Sequence, residues 1–199
     1  MIEEYKKITS VYSEIYNWLA AKTPGENSGI SYFKNYDKKA WKIIKEKIIE
    51  IEKKRKLTQM DMEFLKCRYQ GTAYRIIRFN SRNKGHVFLT DTYQSCSKDM
   101  GGIRKVTLYG DRLLIKLNAD KSTYAIDVFE LLGFMIKNKI IDVSNTKYYN
   151  IENLTRYEDE KEVVVPICEN TIVDVSVIDS KGKILEKIPH EKWFRKNLY

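Results

Sequence analysis

Two glutamates separated by one residue, Glu160 and Glu162, stand where the charged run YEDEK meets the valine-rich stretch EVVVPI. If that stretch is a strand, its alternation places both carboxylates on one face. Like charges repel there unless a cation or a ligand hydroxyl lies between them. The spacing therefore predicts either a carboxylate site for such a ligand or a solvated acidic turn that leads into a core strand.

A basic residue and a pair of hydroxyls occupy two earlier predicted strands. Arg75 lies in AYRII among apolar neighbours, and its guanidinium keeps its charge and matches phosphate or carboxylate. The alternative is that it points outward or pairs with a structural carboxylate. Ser95 and Ser97 flank Cys96 in YQSCSKD, where strand alternation gives both hydroxyls one face and lets them orient a polar ligand.

Helical patterns fill the first third of the chain. Apolar residues recur at steps of three and four over 2–21, which predicts an amphipathic helix. A second helix is predicted over 37–56, and Thr58 with Asp61 forms a cap for a third that reaches residue 68. The predicted buried face of the second helix comprises Trp41, Ile44, Ile48 and Ile51.

Short strand patterns with turn residues between them dominate the remainder. The predicted strands cover 72–79, 86–95, 112–118, 123–128, 162–167, 172–179 and 183–188. A helix is predicted over 128–141, a short helical turn over 100–108, and a hairpin turn at 180–182. Helices first and strands afterwards predict an α+β fold.

The composition fits one domain with a substantial core. The chain has 199 residues, of which 43% are hydrophobic and 32% charged, which excludes a disordered chain and a membrane protein. A net charge of +9 favours polyanionic partners such as nucleic acid, a phosphorylated cofactor or an acidic protein. Codon bias toward lysine is the alternative origin of that charge.

The N-terminal sequence MIEEYKKITS lacks the pattern of a secretory signal, and no apolar stretch would span a bilayer. We therefore expect a cytoplasmic protein. The three cysteines, Cys67, Cys96 and Cys168, are odd in number and far apart, which predicts reduced thiols and neither a disulfide framework nor a metal site. His86 and His190 lack neighbours at metal-ligand spacing and are interpreted as ordinary histidines.

The order of the motifs resembles that of the ADP-ribosyltransferases of the Arg-Ser-Glu group, which includes clostridial-type toxins and small phage-encoded transferases. The resemblance rests on three motifs in the same order: a strand that contains arginine, a strand that ends in aromatic-x-Ser-x-Ser, and a Glu-x-Glu pair before VVVP. It covers about residues 70–178. It implies N-terminal helices packed on a mixed or antiparallel β-sandwich core. It also implies a single domain over 1–199, with a helical lead-in over 1–69 and a β-rich catalytic core over 70–199.

The resemblance further implies a role for each matched residue. Arg75 would hold a phosphate of NAD, and Ser95 would brace the catalytic glutamate and the nicotinamide ribose. Ser97 would support the strand end. Glu162 would accept a hydrogen bond from the ribose 2-hydroxyl as the bond to nicotinamide breaks. Glu160 would position or deprotonate the acceptor, and a glutamate there goes with arginine as the target.

Three aromatic residues, Tyr74, Tyr93 and Phe88, are candidates for stacking on the nicotinamide or adenine, with core packing as the alternative. The sequence departs from the family pattern at Cys96, where threonine is usual. It also departs in the short step of 20 positions from Arg75 to Ser95, which leaves adenosine recognition without assigned residues.

Two other functions are compatible with parts of the sequence. Asp159 and Lys161 have the spacing of a metal-dependent nuclease, for which Asp91 and Asp111 are the available acidic partners. A basic, noncatalytic module that binds nucleic acid or a protein would explain the charge alone. The ordered motifs favour a mono-ADP-ribosyltransferase that uses NAD as substrate and no metal. Its acceptor would be a cytoplasmic target protein, with nucleic acid as another candidate partner.

Overall fold

The computed structural model describes residues 42–78, 90–101, 112–140 and 161–193. The predicted helix over 2–21, together with Glu160, His86 and Phe88, lies outside these ranges. The chain divides into two compact units. One contains the described residues of Met1–Arg68 and Asp127–Arg156, and the other those of Tyr69–Ile126 and Tyr157–Tyr199.

Three helices form the described part of the first unit. Helix α1 covers residues 42–52, and its predicted apolar face is confirmed because Ile44, Ile48 and Ile51 are fully buried. The prediction extended this helix to residue 56 and was wrong there. The chain instead leaves the helix so that Lys54 can pair with Asp61 at the start of the next one.

Helix α2 spans Gln59–Lys66 and begins with the predicted capping box, in which Thr58 and Asp61 exchange hydrogen bonds between side chain and backbone. Helix α3 spans Val128–Lys137, and its N-cap is Asp127. It ends four residues before the predicted boundary because Lys139 takes a left-handed conformation, with φ at 53°. The amides of Lys139 and Ile140 then bond back to Ile136 and Met135.

Seven strands occupy the rest of the described chain and form one sheet in the order β4-β5-β2-β1-β3-β6-β7. The strands are β1 Gly71–Arg78, β2 Thr90–Ser97, β3 Arg112–Ala119, β4 Ile126–Asp127, β5 Glu162–Ile167, β6 Ile172–Ile178 and β7 Ile184–Lys187. Strand pairing between β1 and β2, β1 and β3, β2 and β5, β3 and β6, and β6 and β7 is antiparallel. The α+β fold is therefore confirmed.

Two strand predictions differ from the described residues by two or more positions at one end. The β4 strand is shorter than the predicted 123–128 because a 3-10 turn at Lys121–Thr123 and a left-handed Tyr124, with φ at 52°, take up its first half. The β2 strand continues two residues beyond the predicted end at Ser95, so that Ser97 pairs with β5. Strand β5 has the predicted boundaries.

The main core lies on one face of the sheet. It joins Ala73 of β1 with Ile115 of β3, Val165 of β5 and Val175 of β6, and it also takes in Trp193. Three strand steps separate β5 from β3, which would be about 14 Å in a flat sheet. Residues of these two strands nevertheless approach within 8 Å between Cα atoms, so the sheet bends around this core.

No helix within the described ranges is long and apolar enough to cross a membrane. The single domain predicted from the sequence stays a prediction. The helical unit includes α3, which follows four of the strands along the chain, at the position where the sequence predicted a helix over 128–141.

Candidate active site

Two residues far apart in the chain meet at the junction of β2 and β5. The Ser95 hydroxyl donates a hydrogen bond to Oε1 of Glu162, across 67 positions of sequence. Strand register explains the contact. Ser97 pairs directly with Glu162 and Ser95 with Val164, so Ser95 and Glu162 are diagonal neighbours on one face. The extension of β2 to Ser97 is therefore what brings the hydroxyl to the carboxylate.

Arg75 reaches the same serine from the other face of the sheet, because its neighbour Tyr74 pairs with Ser97 and adjacent residues of a strand alternate between faces. Its Nη1 donates a hydrogen bond to the backbone carbonyl of Ser95 at 2.6 Å. The guanidinium is half-buried, and within the described ranges no carboxylate forms an ion pair with it. A neutral carbonyl leaves its positive charge uncompensated, so the Arg75 fork can still take an anion.

The Glu162 side chain is buried, which makes its hydrogen bond from Ser95 more important than it would be at an exposed position. Glu162 is 2% exposed and Ser97 is 6% exposed. A carboxylate withdrawn from water depends on hydrogen bonds from the protein, because removing such a partner leaves an uncompensated buried charge. Ser95 therefore both stabilises the charge of Glu162 and fixes the direction of one carboxylate oxygen.

A polar row crosses the sheet from this carboxylate. Glu162 pairs with Ser97, Ser97 with Tyr74, Tyr74 with Lys116, and Lys116 with Asp174. These five residues stand at one level of five neighbouring strands and share one face. The row gives a ligand bound at Glu162 an aromatic ring two strand spacings away and a lysine three strand spacings away.

The aromatic member of the row is held by packing. Tyr74 is half-buried and contacts a small cluster formed by Leu114 and Ile178 on the face opposite the main core. Tyr93, the other predicted stacking residue within the described ranges, pairs through its backbone with Pro166. Both of the alternatives for Tyr74, stacking on a ligand and packing, are compatible with its position.

The backbone just before Glu162 has an unusual conformation. Lys161 has φ at 48°, a left-handed value that costs a lysine about 1–2 kcal/mol. Its carbonyl accepts a hydrogen bond from the amide of Lys98 at 2.9 Å, and its ammonium pairs with Asp99 at 2.5 Å. The Asp99 carboxylate raises the pKa of the Lys161 ammonium.

The structure thus links three of the residues proposed from the sequence, Arg75, Ser95 and Glu162, through hydrogen bonds at Ser95. Ser97 and Tyr74 lie beside them in the strand register. Glu160 lies outside the described residues. Sequence reasoning did not identify Asp99 as a neighbour of the site. The only signal was its place two residues after Ser97, at the end of the same strand.

The nuclease interpretation gains no support from this region. Lys161, the basic residue of the Asp159 and Lys161 spacing, is paired with Asp99. Among the described residues no group of three or more histidine, cysteine, aspartate or glutamate side chains could hold a metal ion. Asp159 and Asp111 lie outside those residues.

The cysteines are free thiols, as their number predicts. Cys96 is 5% exposed and belongs to the main core, so its thiol fills core space much as a side chain of threonine size would. Burial, together with the carboxylates of Glu130 and Asp127, raises the pKa of the Cys67 thiol.

Comparisons of the chain with protein-family models, with curated proteins and with solved structures find no match.

Proposed function

We propose that this chain is a mono-ADP-ribosyltransferase that moves ADP-ribose from NAD to a macromolecular acceptor, with protein arginine as the acceptor group. The hydrogen-bonded chain from Arg75 through Ser95 to Glu162 is the observation that carries the proposal. The three residues come from three strands and were selected by sequence pattern alone. The two hydrogen bonds at Ser95 explain why an arginine, a serine and a glutamate occur at these three positions.

The residues present fit the chemical groups of NAD. Arg75 offers a charged donor fork to a phosphate, since its bond to the Ser95 carbonyl leaves its charge uncompensated. Glu162 offers a fixed carboxylate that can accept a hydrogen bond from a ribose hydroxyl and stabilise positive character on the sugar. NAD, when bound, supplies an ADP-ribosyl group whose bond to nicotinamide breaks.

Two further parts of the proposal come from the resemblance. Glu160 positions or deprotonates the acceptor arginine, which determines the kind of acceptor. The antiparallel sheet, which bends around its core, supports an ADP-ribosyltransferase-type sandwich. The acceptor is a target protein, and the charge of +9 favours one associated with nucleic acid.

Release of nicotinamide from NAD, alone and in cell lysate, tests the proposal. Glu162→Gln keeps the volume and the acceptor atom for Ser95 but removes the charge, so we expect release to fall by about 10²-fold or more. Glu169→Gln, at an exposed position after β5, is the matched control and keeps full release. Thermal unfolding of both variants separates lost chemistry from lost fold.

Glu160→Ala tests the acceptor step separately, because it should abolish labelling of lysate proteins, whereas Glu162→Gln lowers the release of nicotinamide itself. Equal release by wild type and Glu162→Gln, or none by wild type in lysate, would contradict the proposal. A nuclease would instead be inactivated by EDTA. A noncatalytic binding module would tolerate the loss of Glu162.

A further inference from the structure

The start of β5 is tied to the end of β2 by contacts that the catalytic proposal does not use. Lys161 directly precedes Glu162, and its left-handed backbone, with φ at 48°, is uncommon for a lysine. A conformation of this kind persists when surrounding contacts determine it. Those contacts come from the residues that follow Ser97.

Two contacts hold Lys161, one on its backbone and one on its side chain. The amide of Lys98 donates to the carbonyl of Lys161 at 2.9 Å. The Lys161 ammonium pairs with Oδ2 of Asp99 at 2.5 Å. The amide of Asp99 in turn donates to the hydroxyl of Ser97 at 3.3 Å, and Ser97 pairs with Glu162.

These contacts close a ring through Glu162, Ser97, Asp99 and Lys161. The Ser95 hydroxyl fixes one carboxylate oxygen of Glu162, whereas the ring fixes the backbone from which that side chain extends. A displacement of Lys161 would therefore move the carboxylate relative to Ser95. Small displacements of a catalytic group can lower turnover without unfolding a protein.

We propose that the Asp99–Lys161 ion pair is a positioning device for Glu162, which sets turnover and leaves NAD binding unchanged. The inference rests on the proposed transferase function. The two side chains are 39% and 52% exposed, so the pair adds little to global stability and is screened by salt. Its contribution should therefore appear in kcat and not in the unfolding temperature.

Steady-state nicotinamide release by Asp99→Asn, Lys161→Asn and their double variant tests the pair. Asparagine tolerates the left-handed conformation, so Lys161→Asn removes the ammonium with little strain in the backbone. We expect each single variant to lower kcat by about 2- to 5-fold with KM for NAD unchanged. The double variant should lose no more than the worse single variant, because both remove the same contact.

A charge exchange provides the rescue. The double variant Asp99→Lys with Lys161→Asp rebuilds the pair in reverse, and we expect it to recover at least half of the wild-type kcat. Glu63→Gln breaks an ion pair with Lys137 in the other unit, whose side chains are 20% and 65% exposed, and should leave kcat unchanged. Unchanged kcat in both single variants, or losses that add in the double variant, would overturn the inference.

Amide hydrogen exchange distinguishes failure of this inference from failure of the proposed function. The Lys98 amide should exchange faster in Lys161→Asn than in wild type, because the carbonyl it binds is no longer held by the ion pair. If the Lys98 amide exchanges faster in Lys161→Asn but the wild type releases no nicotinamide, the transferase proposal is wrong and the positioning of Glu162 by the ion pair still holds. Unchanged exchange would overturn the positioning, whatever the activity.

Discussion

Ser95 is bonded on both sides, by its hydroxyl to the carboxylate of Glu162 and by its backbone carbonyl to the guanidinium of Arg75. One residue thus connects the cationic and the anionic member of the site. The two contacts differ in how they respond to mutation. Substitution of the Ser95 side chain removes the first and leaves the second in place.

Ser95→Ala should lower kcat for nicotinamide release by about tenfold or more, because a hydrogen bond to a charged group contributes about 1.5–3 kcal/mol. Combined with Glu162→Ala, it should add little, since each change alone removes this contact. Ser180→Ala, in an exposed turn, is the matched control. Additive losses in a double-mutant cycle would show that Ser95 acts independently of Glu162.

Arg75→Lys should weaken NAD binding by about tenfold, although the positive charge is kept. A lysine ammonium cannot reproduce the planar fork that binds a carbonyl and an anion together. The expected change is a higher KM for NAD with a smaller change in kcat. Arg55→Lys, at an exposed position of the other unit, should change neither parameter. Equal KM values for wild type and Arg75→Lys would remove Arg75 from the phosphate site.

Thiol labelling of the native protein should reach Cys168 first. Cys168 is half-buried, whereas Cys67 and Cys96 are buried, and burial raises the pKa of Cys67 so that little reactive thiolate forms near pH 8. We expect mass spectrometry to find the label on Cys168, and on all three thiols only after unfolding. Cys168→Ser should abolish the native labelling. Rapid labelling of Cys96 would mean that its thiol is reactive and not a core filler.

The turn between β6 and β7 should make stability depend on pH through Asp179. Its carboxylate accepts hydrogen bonds from the amides of Lys183 and Lys181, which lower its pKa below the usual 3.8. Because the folded-state pKa is depressed, this stabilisation is fully present above the unfolded value. It is lost as the pH falls through the lower folded value.

The measurement is the unfolding temperature of wild type and Asp179→Asn as a function of pH. The difference should be constant from neutral pH down to about pH 5 and should shrink below pH 4. A difference that grows on acidification would contradict the assignment. Glu169→Asn, which alters an exposed acidic residue at the end of β5, controls for the change in net charge.

Local pattern and motif order predicted much of the described molecule. Strand β5 has its predicted ends, the Thr58 capping box is present, and the isoleucine face of α1 is buried. These features depend on neighbours within a few positions. The α+β class follows from the same local periods, so it too could be obtained from the sequence.

Features that depend on distant partners could not be obtained in this way. Lys161, Lys139 and Tyr124 adopt left-handed conformations without being glycine, and no local pattern indicates this. Asp99 pairs with Lys161 across 62 positions. The bond of Arg75 goes to a backbone carbonyl, which every residue carries, so residue types cannot predict it.

The pairing of β2 with β5 also affects how the chain is made. At translation rates of about 5–20 residues per second, roughly 3–13 seconds pass between synthesis of Ser95 and that of Glu162. Throughout that interval the edge of β2 that later binds β5 has no strand beside it, which is the kind of surface that associates with other chains. The register that assembles the site therefore leaves the nascent protein open to aggregation until the residues of β5 have been synthesised.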